Sequence, residues 1–317
     1  MNFATALSIW VALLAIAVFF GIGRGYGGRS FAIAVAVLGV LLGGDLFSAA
    51  PVFRHRVQAW LGARGILLAP LVPLGAFLLY SVGITGDWKW ILIGASYILV
   101  PCLLVLGVRD KSSMAFEDFA AILVIWLPVE FRWLYKLWSY PNELTHTLTI
   151  LLALNVAVAA FLFVRPLEGI GYRVEWRRGF GWEIGLNLLL IAIIVIPLGE
   201  KIGFLHFAPS LERLRSLPLT VLGISFFTAW PEEFLFRGLL QNLLTRSFKN
   251  EWTGLIVASA IFGLSHILHA PFPNWKYVLL ATIAGFFYGR TWMKTGTIFA
   301  SAVVHACVDI LWHLLFH

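Results

Sequence analysis

Two adjacent glutamates and an arginine lie inside a strongly apolar stretch, AWPEEFLFRGLL, at residues 229–240. On an α-helix, Glu233 and Arg237 are spaced i,i+4 and can pair along one face. Successive helical residues are rotated by about 100°, so the Glu232 carboxylate must point to a neighbouring face. The stretch therefore offers one carboxylate neutralised by an arginine and a second one suited to chemistry.

Pro231 predicts where this helix begins. Proline suits the first position of a helix, because its missing N–H is no loss there. The two glutamates then fall in the first turn, where the positive end of the helix dipole favours carboxylates. We therefore expect a helix N-terminus at Pro231, with Glu232 and Glu233 just inside it.

Two histidine motifs follow further along the chain. The first is FGLSH, from Phe262 to His266, and the second is HACVD, from His305 to Asp309. The i,i+4 spacing of His305 and Asp309 puts both side chains on one face of a helix. Taken singly, each motif is also explained by a buried hydrogen bond that joins two helices.

The three motifs together indicate hydrolysis. A glutamate, a histidine and a His–Asp pair occur in a part of the chain with few other ionisable groups. Polar side chains in apolar spans turn inward and find one another. A converging carboxylate and imidazole can activate a water, and hydrogen-bond donors can stabilise an oxyanion. We expect four side chains to gather around one pocket: Glu232, His266, His305 and Asp309.

The composition places these motifs in a membrane. The 317 residues are 60% hydrophobic and 12% charged, against roughly 25% charged in ordinary soluble domains. Apolar runs such as LLLIAIIVI are continuous rather than alternating, which excludes a transmembrane β-barrel. We expect an all-α fold, a polytopic transmembrane helical bundle of about 8–11 spans.

The apolar runs locate the spans to within several residues. They lie near residues 3–22, 31–53, 64–85, 89–108, 115–131, 145–164, 182–198, 218–244, 253–269, 277–290 and 297–316. Tryptophans near span ends suit the headgroup region, where indoles anchor. These are Trp176, Trp182, Trp252, Trp275 and Trp292. Gly285 and Gly289 are spaced for close helix packing.

Polar stretches suggest a division of the chain. The longest ones, residues 165–181 and 199–218, flank the seventh span. We expect an N-terminal transmembrane bundle of unknown role at 1–181 and a catalytic bundle at 182–317.

The charged and sulfur-containing residues restrict the partners. The net charge of +7 is explained by basic loops that fix topology and meet anionic lipid. No arginine-rich tract with interleaved aromatics suggests nucleic acid, so the expected partner besides the substrate is the lipid bilayer. Cys102 and Cys307 both lie in apolar spans and indicate neither a disulfide framework nor a zinc ribbon.

The order of the motifs resembles a known family. Glu-Glu-x-x-x-Arg, then Phe-x-x-x-His, then His-x-x-x-Asn/Asp on C-terminal membrane helices is similar to the CPBP family. This is the type II CAAX prenyl protease and bacteriocin-processing (Abi) group of glutamic intramembrane proteases. The resemblance covers roughly residues 218–316 of the chain, and three such motifs in order are fairly specific.

The resemblance implies a role for each matching residue. Glu232 and His266 would polarise a water for attack on a peptide carbonyl. His305, with Asp309, would hold the developing oxyanion. Glu233 and Arg237 would brace the helix that carries Glu232, and Phe262 would also have a supporting role.

Asp309 departs from the best-known eukaryotic and archaeal CAAX proteases, which have asparagine at this place. An ionised aspartate only accepts hydrogen bonds and would repel an oxyanion; it could donate only if protonated. Alternatively, Asp309 orients His305 through a His–Asp hydrogen bond and leaves His305 as the donor.

Two other functions use the same residues. The carboxylates and imidazoles are zinc-ligand types, and an i,i+4 His–Asp pair can chelate, but the chain has no H-E-x-x-H helix. A non-catalytic membrane scaffold, immunity protein or transporter is the other alternative. The favoured prediction is a cofactor-free intramembrane endopeptidase of a bacterial plasma membrane. It would hydrolyse a peptide bond of a membrane-associated protein or peptide.

Overall fold

Helices make up almost all of the regular structure of the chain. The computed structural model describes residues 1–111 and 114–316. Within these residues there is no β-strand, only an isolated bridge between Phe207 and Phe316. Eight helices of the described part are long and apolar enough to cross a membrane, judged by length and composition. The expected all-α, polytopic bundle is confirmed.

The chain forms two compact units, Met1–Glu168 and the part from Gly169 onward. Composition alone suggested a division after residue 181, and the structure groups residues 169–181 with the second unit. The roles expected for the two parts remain predictions.

The first unit is built from seven α-helices in its described residues. They are α1 Phe3–Gly23, α2 Gly28–Ser48, α3 Pro51–Leu61, α4 Gly65–Tyr80, α5 Trp88–Leu106, α6 Phe116–Glu130 and α7 Thr145–Val158.

Helix α7 forms the centre of the first unit, where it packs against α2, α4, α5 and α6. Asn155 Nδ2 of α7 donates to the Leu41 carbonyl of α2 at 2.8 Å. This close approach needs a glycine at position 44, because a Cβ there would lie 2.0 Å from Asn155 Oδ1. A polar side chain in an apolar core thus finds its partner on the neighbouring helix.

A buried ion pair fixes one end of the first unit. Arg165 Nε lies 2.6 Å from Asp118 Oδ1, and Nη2 lies 3.0 Å from Asp118 Oδ2. Both side chains are almost fully buried. The same guanidinium also donates to the carbonyls of Val108 and Lys111. The charge of Arg165 is therefore compensated by a bidentate carboxylate and by backbone oxygens.

The second unit also has seven α-helices in its described residues. They are α8 Phe180–Lys201, α9 Leu211–Ile224, α10 Trp230–Glu233, α11 Asn242–Phe248, α12 Glu251–Ser265, α13 Trp275–Thr295 and α14 Ile298–Leu315.

Helices α9, α10 and α11 are one continuous rod. The π-helical segments Ser225–Ala229 and Phe234–Gln241 join them without a break. Pro231 is the second residue of the short α-helical turn α10, which begins at Trp230, and helical turns precede it, so the expected free N-terminus at Pro231 is wrong. Proline inside a helix removes one backbone hydrogen bond and crowds the preceding turn. A π-helical turn, Ser225–Ala229, lies directly before the turn that contains Pro231.

Helix α13 packs tightly against α12, and glycines make this possible. A Cβ at Gly263 would lie 1.8 Å from Thr282 Oγ1. A Cβ at Gly289 would lie 2.4 Å from Leu255 Cδ1, and a Cβ at Gly285 would lie 2.8 Å from Phe262 Cδ1, which also belongs to α12. The close packing predicted for Gly285 and Gly289 is confirmed.

The tryptophans near span ends divide into two groups. Trp292 is buried, and its Nε1 donates to the Ile170 carbonyl at 3.1 Å. The anchoring role expected for Trp292 is therefore wrong, because its indole is used inside the unit. The others have exposed indoles: Trp176, Trp182, Trp252 and Trp275.

Candidate active site

A fully buried carboxylate lies at the centre of the candidate site. Glu233 Oε2 accepts from Arg237 Nε at 3.2 Å and from Ser301 Oγ, and Oε1 accepts from His305 Nδ1 at 2.9 Å. Glu233 and Arg237 are both 0% exposed. A charge buried this deeply is tolerated only when it is paired and hydrogen-bonded. The Glu233–Arg237 pair expected from the spacing is present.

His305 connects this buried pair to the other carboxylates. With Nδ1 turned toward Glu233, the opposite nitrogen, Nε2, lies 3.4 Å from Asp309 Oδ2 and 3.9 Å from Glu232 Oε2. The His305 side chain is 4% exposed, whereas those of Glu232 and Asp309 are 34% and 27% exposed. The structure thus brings Glu232, His305 and Asp309 together, which are three of the four expected residues. The carboxylates of Glu232 and Asp309 both lie on the Nε2 side of the His305 ring.

A pocket opens beside Asp309. Its volume is ≈ 390 Å³, which falls within the range of roughly 300–1,000 Å³ typical of ligand sites. The lining combines charged and aromatic side chains: Arg213, Asp309, Trp312, His313 and Phe316.

His266 approaches from the end of α12 with a defined orientation. Its Nδ1 lies 2.9 Å from the Phe262 carbonyl oxygen. A carbonyl can only accept, so Nδ1–H donates and the neutral ring presents Nε2 as an acceptor. Within the described residues, His266 makes no hydrogen bond to Glu232 or His305. It is nevertheless near enough to interact electrostatically with His305 and Asp309.

Phe262 stands between the two imidazoles. Its ring centroid lies 4.9 Å from that of His266 and 5.7 Å from that of His305. The Arg237 guanidinium sits over the same ring at 5.0 Å, a distance at which a cation is attracted to an aromatic face. The phenyl ring therefore covers the buried Glu233–Arg237 pair and separates it from His266.

Residues that the motifs did not single out complete the site. Ser301 is spaced i,i+4 from His305, so a polar residue every fourth position of α14 was a signal that could have found it. Tyr288 stacks on the His305 ring at 4.5 Å, and Tyr277 packs on the His266 ring at 4.5 Å. No local pattern marks these tyrosines, because their contacts come from α13 packing against other helices.

The carboxylates and imidazoles of this site are side-chain types that can bind a metal ion. Within residues 1–111 and 114–316, no three His, Cys, Asp or Glu side chains form an arrangement that could hold a metal ion. The zinc alternative thus lacks a ligand cluster in the described part of the chain.

Comparison with family models gives a match that falls on this site. Residues 214–311 match the model described as type II CAAX prenyl endopeptidase Rce1-like. The match supports the CPBP/CAAX protease family. It includes every residue of the three motifs, from Glu232 to Asp309, and leaves the first unit outside. Comparison with curated proteins found no match, and neither did comparison with solved structures.

The family match supports a CAAX-type intramembrane protease, and hence a hydrolase. The apolar helices agree with this, since they support an integral, multi-pass membrane protein. A lipid bilayer and a protein substrate fit both findings.

Proposed function

We propose that this protein is a glutamic intramembrane endopeptidase, in which Glu232 and His266 activate the attacking water. The observation that carries the proposal is the position of His305, whose Nδ1 is bonded to buried Glu233 while its Nε2 faces Glu232 and Asp309. An imidazole fixed at one nitrogen and open at the other is the arrangement that acid–base and oxyanion chemistry requires.

The two glutamates are suited to different tasks. Glu233 is fully buried, and its oxygens already accept from Arg237, Ser301 and His305. Such a carboxylate is held in place and has no access to a water. Glu232 has a side chain that is 34% exposed, so a water can reach it. Glu232 is therefore the proposed general base, and Glu233 positions His305.

His266 supports the same water from the other side. Because its Nδ1–H is directed to the Phe262 carbonyl, its Nε2 can accept a hydrogen bond from the water. Together, Glu232 and His266 would orient the lone pair of the water toward the peptide carbonyl. A well-placed general base contributes typically about 10²–10⁴-fold to a rate.

His305 is the proposed group that meets the oxyanion, with Asp309 orienting it. Asp309 Oδ2 lies 3.4 Å from His305 Nε2, so the carboxylate favours a protonated Nε2, whose N–H would donate to the oxyanion when one forms. This contact fits an orienting role for Asp309 better than direct donation to an oxyanion, since an ionised carboxylate has no proton to donate.

The proposed substrate is a membrane-associated protein or peptide. The site belongs to a chain with helices suited to a membrane, and the pocket beside Asp309 is wide enough for side chains of a peptide. The proposed location is a bacterial plasma membrane. No cofactor is needed for a water activated by Glu232.

The test is the variant Glu232→Gln, which keeps the size of the side chain and removes the base. We expect cleavage of a membrane-anchored peptide to fall at least 10²-fold, as loss of a general base predicts. Thermal unfolding in detergent should stay unchanged, because the carboxylate is partly exposed. The matched control is Glu212→Gln, an exposed glutamate earlier in the same continuous helix, which should keep full activity.

Wild-type activity in folded Glu232→Gln protein would contradict the proposal. Stoichiometric zinc and loss of cleavage on chelation would favour the metalloprotease instead. No cleavage by wild-type protein of a panel of membrane-anchored peptides would favour a scaffold or immunity role.

A further inference from the structure

Tyr277 occupies the centre of an aromatic cluster beside the candidate site. Its ring lies 4.5 Å from the ring of His266 and 5.3 Å from that of Trp312. Trp312 in turn lines the pocket that contains Asp309. Asn274 caps the start of α13 by accepting from the Tyr277 backbone N–H at 3.0 Å. The tyrosine is thus held by a helix terminus on one side and by ring contacts on the other.

The hydroxyl of Tyr277 has no hydrogen bond to the described residues. It lies near enough to Asp309 and Glu232 to interact electrostatically with both carboxylates. A tyrosine that is largely enclosed usually finds a partner for its O–H. A hydroxyl that has no hydrogen-bond partner among the described residues, and that lies beside a candidate catalytic site, is available to bind a ligand.

The charges of the site make such a donor necessary. Three carboxylates surround His305, namely Glu232, Glu233 and Asp309. One of them is neutralised by Arg237. An oxyanion that forms near the other two meets negative charge, and Asp309 cannot donate when it is ionised. His305 alone would have to supply all of the stabilisation.

We propose that the Tyr277 hydroxyl is a catalytic hydrogen-bond donor to the oxyanion. This rests on the proposed hydrolysis. A neutral O–H suits this environment, because it donates without adding charge and its ring is already fixed by His266 and Trp312.

The step keeps its atoms and charges in balance. The oxygen of water bonds to the peptide carbonyl carbon, the water proton passes to Glu232, and the carbonyl oxygen becomes the oxyanion. Tyr277 O–H donates a hydrogen bond to that oxygen and keeps its proton. When the carbonyl reforms, the C–N bond breaks and the proton held by Glu232 passes to the amine.

The test is Tyr277→Phe, which keeps the ring contacts and removes the O–H. Loss of one oxyanion donor lowers kcat by about 10²–10³-fold, and KM should stay within about threefold because the ground state loses nothing. The matched control is Tyr97→Phe, which removes a buried hydroxyl from the first unit, where it donates to the Ile125 carbonyl at 2.9 Å. This control should keep the wild-type kcat.

A second substitution separates the proposed role from a structural one. In the Tyr277→Phe background, Asp309→Asn supplies a neutral amide donor beside the pocket, while its Oδ1 can still accept from His305 Nε2, and the change should restore kcat at least tenfold. A purely structural defect at position 277 would not be repaired by a change on α14. Failure of the double variant to recover, or a Tyr277→Phe variant with wild-type kcat, would overturn the inference.

The proposed function and this inference fail in different ways. A wild-type protein that cleaves no peptide contradicts the proposed function. A wild-type protein that cleaves while Tyr277→Phe is equally active contradicts only the inference. If Tyr277→Phe does not fold, a fluorinated tyrosine at position 277 keeps both ring and hydroxyl and changes only its acidity. An unchanged kcat in that protein would then count against the donor role.

Discussion

At the scale of single residues, the site separates a buried charge pair from an accessible pair of carboxylates. Glu233 and Arg237 are fully enclosed and paired through Arg237 Nε, whereas Glu232 and Asp309 retain accessible surface. His305 is the link, with one nitrogen bonded to the buried side and the other facing the accessible side. Adjacent glutamates thus take different roles because a helix points them in different directions.

Arg237→Ala should lower stability strongly. It strands the buried charge of Glu233, and breaking a buried ion pair by removing one partner costs about 3–5 kcal/mol. Denaturation of the purified protein in detergent measures this. Arg215→Ala, which removes an exposed arginine earlier in the same continuous helix, should change the free energy of unfolding by less than about 0.5 kcal/mol. Equal stability of the two variants would contradict the role assigned to Arg237.

The sequence alone could indicate the ionisable members of the site but not their connections. Glu232, His266, His305 and Asp309 were recognisable because ionisable side chains are rare and costly in apolar spans. The bond between Glu233 and His305 joins residues far apart along the chain, so no local spacing predicts it. Tyrosines such as Tyr277 are common in cores, and only tertiary contacts mark one as adjacent to the site.

At the scale of elements, the site depends on a helix that is not regular. The residues from Leu211 to Phe248 form one rod whose α-helical turns alternate with π-helical ones, and the site glutamates lie between two π-helical segments. π-helical turns inside α-helices occur frequently at functional sites. The neighbouring helices α12 and α14 supply the histidines that face this rod.

Gly263→Ala should destabilise the packing of α12 against α13. The added Cβ would lie 1.8 Å from Thr282 Oγ1 and 2.7 Å from the Val278 carbonyl oxygen. The backbone oxygen cannot rotate away, and overpacking of this kind costs about 1–3 kcal/mol. Gly185→Ala in α8 is the matched control, since no atom lies within 4 Å of the position that a Cβ would take there. Its melting temperature should equal or exceed that of the wild type, because alanine favours helices.

Most elements could be predicted because membrane spans are long and continuously apolar. The span expected near 145–164 corresponds to α7 with its π-helical end, and that near 297–316 corresponds to α14. The helix that contains residues 218–244 begins earlier than expected, at Leu211, and it is not among the eight helices of the described part that are long and apolar enough to cross a membrane. Its π-helical turns were not predictable, since no periodicity in the sequence marks them.

At the scale of the whole molecule, the candidate chemistry belongs to one unit. All of the proposed catalytic residues lie after Gly169, and the family match begins at residue 214. The first unit has its own buried polar contacts, among them the ion pair between Asp118 and Arg165, in which Arg165 Nε lies 2.6 Å from Asp118 Oδ1. These contacts stabilise the first unit without contributing a group to the proposed reaction.

Asp118→Asn should therefore lower stability and leave the chemistry intact. It leaves the charge of buried Arg165 without its carboxylate, at a cost of about 3–5 kcal/mol. Folded protein should retain the wild-type kcat, measured per active enzyme with the same peptide. Asp110→Asn, at an exposed aspartate, should alter neither property. A large loss of kcat in folded Asp118→Asn protein would show that the first unit takes part in the reaction.

The π-helical turn at Ser225–Ala229 has a consequence for how this site can change over time. Because a π-helical turn holds about one residue more than an α-helical turn, deleting one residue there would restore ordinary α-helix and leave the following residues facing as they do now. The same deletion in the regular turns between Leu211 and Ile224 would rotate everything after it by about 100° and turn the glutamate bonded to His305 away from α14. The π-helical segment is thus the part of this rod in which the loss of one residue is least damaging to the site.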